Sequence, residues 1–150
     1  MKVLSLFDGI SCGMVALERA GIAVDRYVAY EIEPNAIKIS KKNYPQIEHR
    51  GDVTVADFTQ YKGSDLLIGG SPCTNFSCSK NHKAKVAKER NIEEGDGWEL
   101  FLQYVRALKE TKPKYFLYEN NYRNPKAITD AISDALGVQP IMIDSSLVSA

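Results

Sequence analysis

Two short stretches carry side chains able to do covalent chemistry. In Gly69-Gly70-Ser71-Pro72-Cys73 a cysteine directly follows a proline, at the end of the apolar run Leu66-Leu67-Ile68. The glycine pair lets the chain turn sharply. Pro72 fixes its own φ and disfavours helix at Ser71. Cys73 is therefore expected at the mouth of a sheet, where a deprotonated thiol can act as a nucleophile. In Phe116-Leu117-Tyr118-Glu119-Asn120 an apolar run brings Glu119 to a strand end. Burial there would raise the carboxyl pKa, which suits a proton donor. A parallel sheet could set Cys73 and Glu119 side by side at one edge. Taken singly, each has a plainer reading: a small apolar residue at a turn, and an ordinary loop acid.

Three further features accompany them. Leu6-Phe7-Asp8-Gly9-Ile10-Ser11-Cys12-Gly13 runs from a strand through a glycine turn into a helix start. The glycines allow close backbone approach, and a helix N-terminus offers free N–H groups. The spacing is not that of the dinucleotide fingerprint, so alone it equally describes a tight turn. Glu31 ends the next strand, where an acid can bond ribose hydroxyls or merely cap a helix. Asp52 follows Arg50-Gly51 and could accept a hydrogen bond from an adenine amino group, or serve only the turn. Together, three such features at successive strand ends outline an adenosyl ligand.

The elements that would position these residues alternate along the chain. Strands are expected over residues 2–7, 26–30, 47–50, 65–68, 114–118 and 138–143. Helices are expected over 12–20, 33–43, 97–111 and 125–136. In the third helix Trp98, Phe101, Leu102, Val105 and Leu108 fall at helical spacing. This order predicts an α/β fold with a doubly wound, mostly parallel sheet, whose ligands lie beyond the carboxyl ends of the strands. The 150 residues are 44% hydrophobic and 25% charged, which fits one domain, residues 1–150, with a core of its own. Nineteen basic and nineteen acidic residues cancel, so any basic surface is local. Three cysteines without CxxC spacing argue against a disulfide framework or a zinc site and for a reducing cytoplasm. His49 and His82 are too isolated to suggest a metal. No segment resembles a signal peptide or a membrane span.

Phe-Asp-Gly-Ile-Ser-Cys-Gly, Gly-Gly-Ser-Pro-Cys and Tyr-Glu-Asn resemble, in order and spacing, the signatures of the DNA (cytosine-5)-methyltransferases. The resemblance is strongest to the animal de novo enzymes and phage-encoded relatives. It implies a Rossmann-like methyltransferase fold with S-adenosylmethionine as cofactor. Phe7 would lie against the adenine, and Asp8, Gly9, Ile10, Ser11 and Cys12 would hold the methionine part. Glu31 would bond the ribose, with Ile32 packing nearby. Asp52 would read the adenine amino group beside Val53, and Leu100 would flank the cofactor.

The resemblance also implies catalysis by Cys73, Pro72, Glu119 and Asn120 on a cytosine flipped out of double-stranded DNA. Cys73 is the nucleophile, Pro72 restricts its backbone, Glu119 serves the ring nitrogen N3 and Asn120 orients the site. Ser77, Lys80, Lys83, Lys85, Lys88 and Arg90 follow the catalytic turn and would contact DNA; their plainer reading is a solvated loop. Cys12 and Cys78 are read as non-catalytic. The family pattern continues beyond Ala150 with a glutamine/arginine motif, a target-recognition region and a closing helix. The fold is thus expected to be incomplete at its C-terminus, with a partner chain or missing half, and the 150 residues alone are expected to be inactive. The expected setting is cytoplasmic, in a bacterial or phage-infected cell, within restriction-modification chemistry. A tRNA cytosine-5 methyltransferase, a non-catalytic cofactor-binding subunit and a nicotinamide-dependent oxidoreductase remain as alternatives.

Overall fold

The computed structural model describes residues 1–72, 96–121, 124–144 and 146. Its frame is set by two strands, β1 (Lys2–Leu6) and β2 (Arg26–Tyr30), each with one exposed residue followed by four buried ones. Such runs suit strands covered on both faces, as parallel sheets require. β3 (Glu48–His49), β4 (Leu66–Gly69) and β5 (Tyr115–Tyr118) complete a sheet in the order β3-β2-β1-β4-β5, with every pairing parallel. α1 (Cys12–Arg19), α2 (Pro34–Asn43), α3 (Asp96–Thr111) and α4 (Lys126–Leu136) are the described helices.

Alternate strand residues feed two cores. Leu4, Leu6, Val28, Tyr30 and Leu67 join Phe58, Tyr61, Tyr104 and Ala107 in one. Val3, Tyr27 and Ala29 join Leu17 and Ile47 in the other. The period-two alternation thus places α3 against one cluster and α1 against the other. α1 lies very close to the sheet: a Cβ at Gly13 would come within 2.3 Å of Ile68 Cδ1 and 2.8 Å of the Tyr27 hydroxyl. Strand order reverses between β1 and β4, which in open α/β sheets opens a crevice at the carboxyl ends. This is a Rossmann-like arrangement, as expected.

The sixth expected strand is a correction. Residues 138–143 form no strand, and Ile141, Met142 and Ile143 are 87%, 73% and 70% exposed. Strand propensity is realised only where a partner edge and a covering face exist. Pro140, which lacks an N–H, further weakens any ladder there. Among the described residues no helix is long and apolar enough to cross a membrane.

Candidate functional site

The loop from β1 to α1 is built from unusual backbone. Phe7, Gly9 and Ser11 have φ of 56°, 59° and 68°. Positive φ is rare outside glycine and a true outlier for a bulky residue such as phenylalanine, so surrounding bonds must impose it. The Asp8 N–H donates to the Tyr30 carbonyl at 3.1 Å. The Asp8 carboxylate accepts from Ser5 Oγ at 2.5 Å, from the Tyr27 hydroxyl at 2.7 Å and from the Ser11 hydroxyl. Ser11 Oγ in turn meets Ser40 Oγ at 2.6 Å, and Ser40 meets His49 Nε2 at 3.0 Å. Burial holds the His49 pKa below its ordinary value. Asp8 and Ser11 therefore direct their side chains inward and fix the loop, while Ile10 and Cys12 lie exposed. No side chain caps α1, because Ser11 is committed to this network.

Glu31 fastens the same loop to the end of β2. Its Oε2 accepts from the Gly9 N–H at 2.8 Å. Its Oε1 accepts from the Ile32 and Glu33 N–H groups, each at 2.8 Å. A carboxylate has about four acceptor sites, so capacity for a further donor remains. Ile32 beside it is 69% exposed. Beyond β3, Gly51 at φ 80° turns the chain and Asp52 opens the 3-10 turn Val53–Val55. Asp52 Oδ1 accepts from both the N–H and the hydroxyl of Thr54 at 2.8 Å, and these bonds lower its pKa. Val53 is buried and Asp52 exposed. Phe7 and Leu100 are half-buried against the cluster that contains Val53.

The β4 and β5 ends form the second half of the constellation. Gly69 pairs with Tyr118, and the Glu119 N–H donates to the Gly69 carbonyl at 3.0 Å. Ser71 Oγ lies 2.6 Å from the Tyr118 hydroxyl, which also accepts from Asn120 Nδ2 at 3.1 Å. Asn120 Oδ1 accepts from the Asn121 N–H at 2.7 Å and from Asn124 Nδ2 at 3.0 Å. Asn120 thus braces Tyr118 and the following turn. The expected burial of Glu119 is not found: the residue is exposed, because β5 edges the described sheet and the side chainless Gly70 lies against it. Pro72 is exposed, while Cys73, Ser77, Cys78, Lys80, His82, Lys83, Lys85, Lys88 and Arg90 lie outside the described residues.

Several contributors were not expected from the sequence. Tyr27, Ser5, Ser40 and Ser71 hold the loops, and Tyr104 hydrogen-bonds the Leu117 carbonyl at 2.9 Å while its ring meets Tyr118. Only the apolar spacing of α3 hinted at Tyr104. A recess lined by Lys2, Arg26, Gln60, Tyr61 and Lys62 lies at the opposite, amino-terminal ends of β1 and β2, away from these groups.

A strained glycine loop, two strand-end acids and a second loop pair across the switch point define the architecture of a nucleotide-binding α/β protein. Solved structures carry the same fold. One is a candidate DNA modification methyltransferase encoded within an E. coli prophage, 26% identical, with TM-score 0.63 over 90% of this chain and 37% of that one. Another, S. pombe Dnmt2 methyltransferase, is 21% identical, with TM-score 0.59 over 88% of this chain and 38% of that one. Residues 1–123 match the family described as C-5 cytosine-specific DNA methylase, and the chain belongs to that family.

Curated relatives include the orphan methyltransferase M.SPRI of Bacillus phage SPR, 37% identical over 80% of this chain and 26% of its own length. The type II methyltransferase M.Eco47II of Escherichia coli is 38% identical over 79% of this chain and 26% of its own length. M.FnuDI of Fusobacterium nucleatum is 32% identical over 89% and 38%. The chain thus spans about a quarter to two-fifths of the curated relatives it matches. Membership in this family implies S-adenosylmethionine use.

Proposed function

We propose that this chain supplies the cofactor site and the nucleophile for methyl transfer to C5 of cytosine in DNA. The observation that carries the reading is the strained Phe7–Ser11 loop, pinned to β2 by the Glu31 carboxylate at the sheet's carboxyl edge. Among the described residues a Cβ at Gly9 would meet nothing within 4 Å, so that side of the loop is open to a ligand. The donor set suits S-adenosylmethionine: Glu31 keeps acceptor capacity for ribose hydroxyls, and Asp52 can accept from the adenine amino group. Phe7, Ile32 and Leu100 offer apolar surface, and the buried Val53 belongs to the cluster that Phe7 and Leu100 pack against. The backbone of Asp8, Gly9, Ile10, Ser11 and Cys12 faces the methionine part. When bound, the cofactor supplies an electrophilic methyl group on a sulfonium.

The chain's own residues do the rest. C5 of cytosine is a weak nucleophile until a thiolate adds to C6 of the ring. Cys73 adds there, forming a C6–S bond and an enamine-like ring whose C5 is electron-rich. Glu119 is exposed in the free chain; covered by the flipped base it is kept protonated and donates to N3 as electrons move onto the ring, and Asn120 braces the turn that presents it. After C5 is alkylated its proton passes to solvent water, the C6–S bond breaks to regenerate the Cys73 thiolate, and N3 returns its proton to Glu119. Pro72 limits the backbone freedom of the nucleophile. The reacting base must leave the duplex, and Ser77, Lys80, Lys83, Lys85, Lys88 and Arg90 would hold the phosphates.

Two measurements test the reading. Calorimetric titration with S-adenosylhomocysteine should show binding that weakens about 10- to 100-fold on Asp52→Ala, the cost of a lost charged hydrogen bond. DNA carrying 5-fluorocytosine, tested with a polypeptide as long as the relatives, should be trapped covalently, and Cys73→Ala should abolish trapping while Cys78→Ala does not. Trapping of tRNA in place of DNA would redirect the substrate. Trapping that survives Cys73→Ala would remove the nucleophile.

A further inference from the structure

Arg106 lies on α3, yet its guanidinium reaches into the segment that follows β3. Nη2 donates to the Val53 carbonyl and Nη1 to the Ala56 carbonyl, both at 2.9 Å. Nε donates to Gln103 Oε1 at 2.9 Å, and Glu110 lies 3.4 Å from Nη1. The guanidinium carbon stands 4.4 Å from the centroid of the Phe58 ring, which is fully buried. Three bonds in different directions and a stacked face leave the group little freedom. The planar fork of arginine suits such a task, whereas an ammonium would reach only part of it.

The two carbonyls it grips bracket the turn that carries Asp52. Thr54 fixes the front of this turn through Asp52 Oδ1, and the Ala56 N–H closes it on the Val53 carbonyl at 3.3 Å. Arg106 holds its rear to α3, an element anchored in the core by Phe101, Tyr104 and Ala107. We infer that Arg106 is a positioning residue for adenine recognition: by clamping the Val53 and Ala56 carbonyls it sets where Asp52 presents its carboxylate. The inference rests on the cofactor reading above and adds a determinant of nucleobase specificity that does not itself touch the ligand.

S-Inosylhomocysteine, which has an oxo group where adenine has its amino group, separates positioning from general support. The starting protein should prefer S-adenosylhomocysteine over it by about tenfold or more, the worth of one charge-assisted hydrogen bond. Arg106→Gln should bring the two affinities within about threefold of each other, and Arg106→Lys should give an intermediate ratio. A purely structural role would weaken both ligands alike and keep the ratio. Should Arg106→Gln fail to fold, the Arg106→Lys ratio decides: a fall supports the inference and an unchanged ratio overturns it. If the starting protein binds neither ligand, or does not discriminate, the cofactor reading fails and the inference with it. If it discriminates and both variants keep the ratio, the inference alone fails.

Discussion

Glu119 lies so close across Gly70 that a β-carbon at residue 70 would sit 2.6 Å from its carbonyl oxygen and 2.9 Å from its carboxylate. The carboxylate could swing aside, but the carbonyl belongs to a backbone tied by the Glu119 N–H to Gly69. Gly70→Ala must therefore separate the β4 and β5 ends. Overpacking of this kind costs about 1–3 kcal/mol, or roughly 2–4 °C of melting temperature per kcal/mol in a chain of this size. Thermal unfolding should show that loss, with S-adenosylhomocysteine affinity held within about twofold. An unchanged melting temperature would mean that the two strand ends are not in this contact in solution.

Glu31 is the acceptor for three backbone N–H groups from two different loops. Glu31→Ala frees all three, and water can replace the bonds to Ile32 and Glu33 more easily than it can restore the tie to Gly9. The expected result is about a 10- to 100-fold loss of S-adenosylhomocysteine affinity, with faster hydrogen exchange at the Gly9 amide in the free protein. Glu31→Gln should fall between, since one amide oxygen can still accept. Unchanged exchange at Gly9 would show that other bonds hold the loop.

β1 and β2 were legible because four consecutive apolar or small residues, covered on both faces, leave a simple pattern. The strand-end positions of Glu31, Asp52 and Glu119 followed from that frame. What the sequence hid is of two kinds. Asp8 reads as a loop acid facing a ligand, yet Ser5, Tyr27 and Ser11 converge on it from three elements, and no local spacing records that convergence. Arg106 falls outside the apolar spacing by which the third helix is read, so nothing in the sequence singles it out. Its partners are backbone carbonyls of Val53 and Ala56, and a carbonyl carries no residue identity for a sequence to display. The expected strand over 138–143 had the composition of a strand, yet it pairs with neither described edge, and Pro140 lacks the N–H a ladder needs.

An exposed ion cluster ties β3, the strand that precedes the Asp52 turn, to β2. Glu48 on β3 receives a bidentate pair from Arg26 on β2 at 2.7 and 2.9 Å, and Arg50 adds a contact at 2.5 Å. The Arg26 bonds, helped by Arg50, hold the Glu48 carboxyl at about 2. A depressed folded pKa means stability that is complete above the unfolded value near 4.5 and lost as pH falls through 2. The Arg26–Glu48 side chains are 46% and 35% exposed, so screening limits the pair to about 0.2–1 kcal/mol. Denaturant unfolding at pH 6 and pH 3 should show a small loss in the starting protein that Glu48→Gln removes and high salt reduces. Equal pH dependence in both proteins would assign the acid sensitivity to other carboxylates.

The Tyr118 hydroxyl joins the turn that leads to Pro72 with the turn that carries Glu119 and Asn120. It meets Ser71 Oγ at 2.6 Å and accepts from Asn120 Nδ2, while burial raises its pKa. Ser71 is only 5% exposed, so Tyr118→Phe leaves a buried hydroxyl without this partner, at a cost of about 1–3 kcal/mol. Adding Ser71→Ala removes the orphaned group, and the double variant should regain much of the lost stability. The functional effect should not be regained, because the link between the two turns is absent in both proteins. In a polypeptide as long as the relatives, covalent trapping of 5-fluorocytosine DNA should slow by about tenfold or more in the single and double variants alike. Binding of S-adenosylhomocysteine should stay within about twofold, since Glu31 and Asp52 lie on other strands. Trapping that recovers together with stability in the double variant would show that the Tyr118 hydroxyl only fills the core and does not align the nucleophile with the acid.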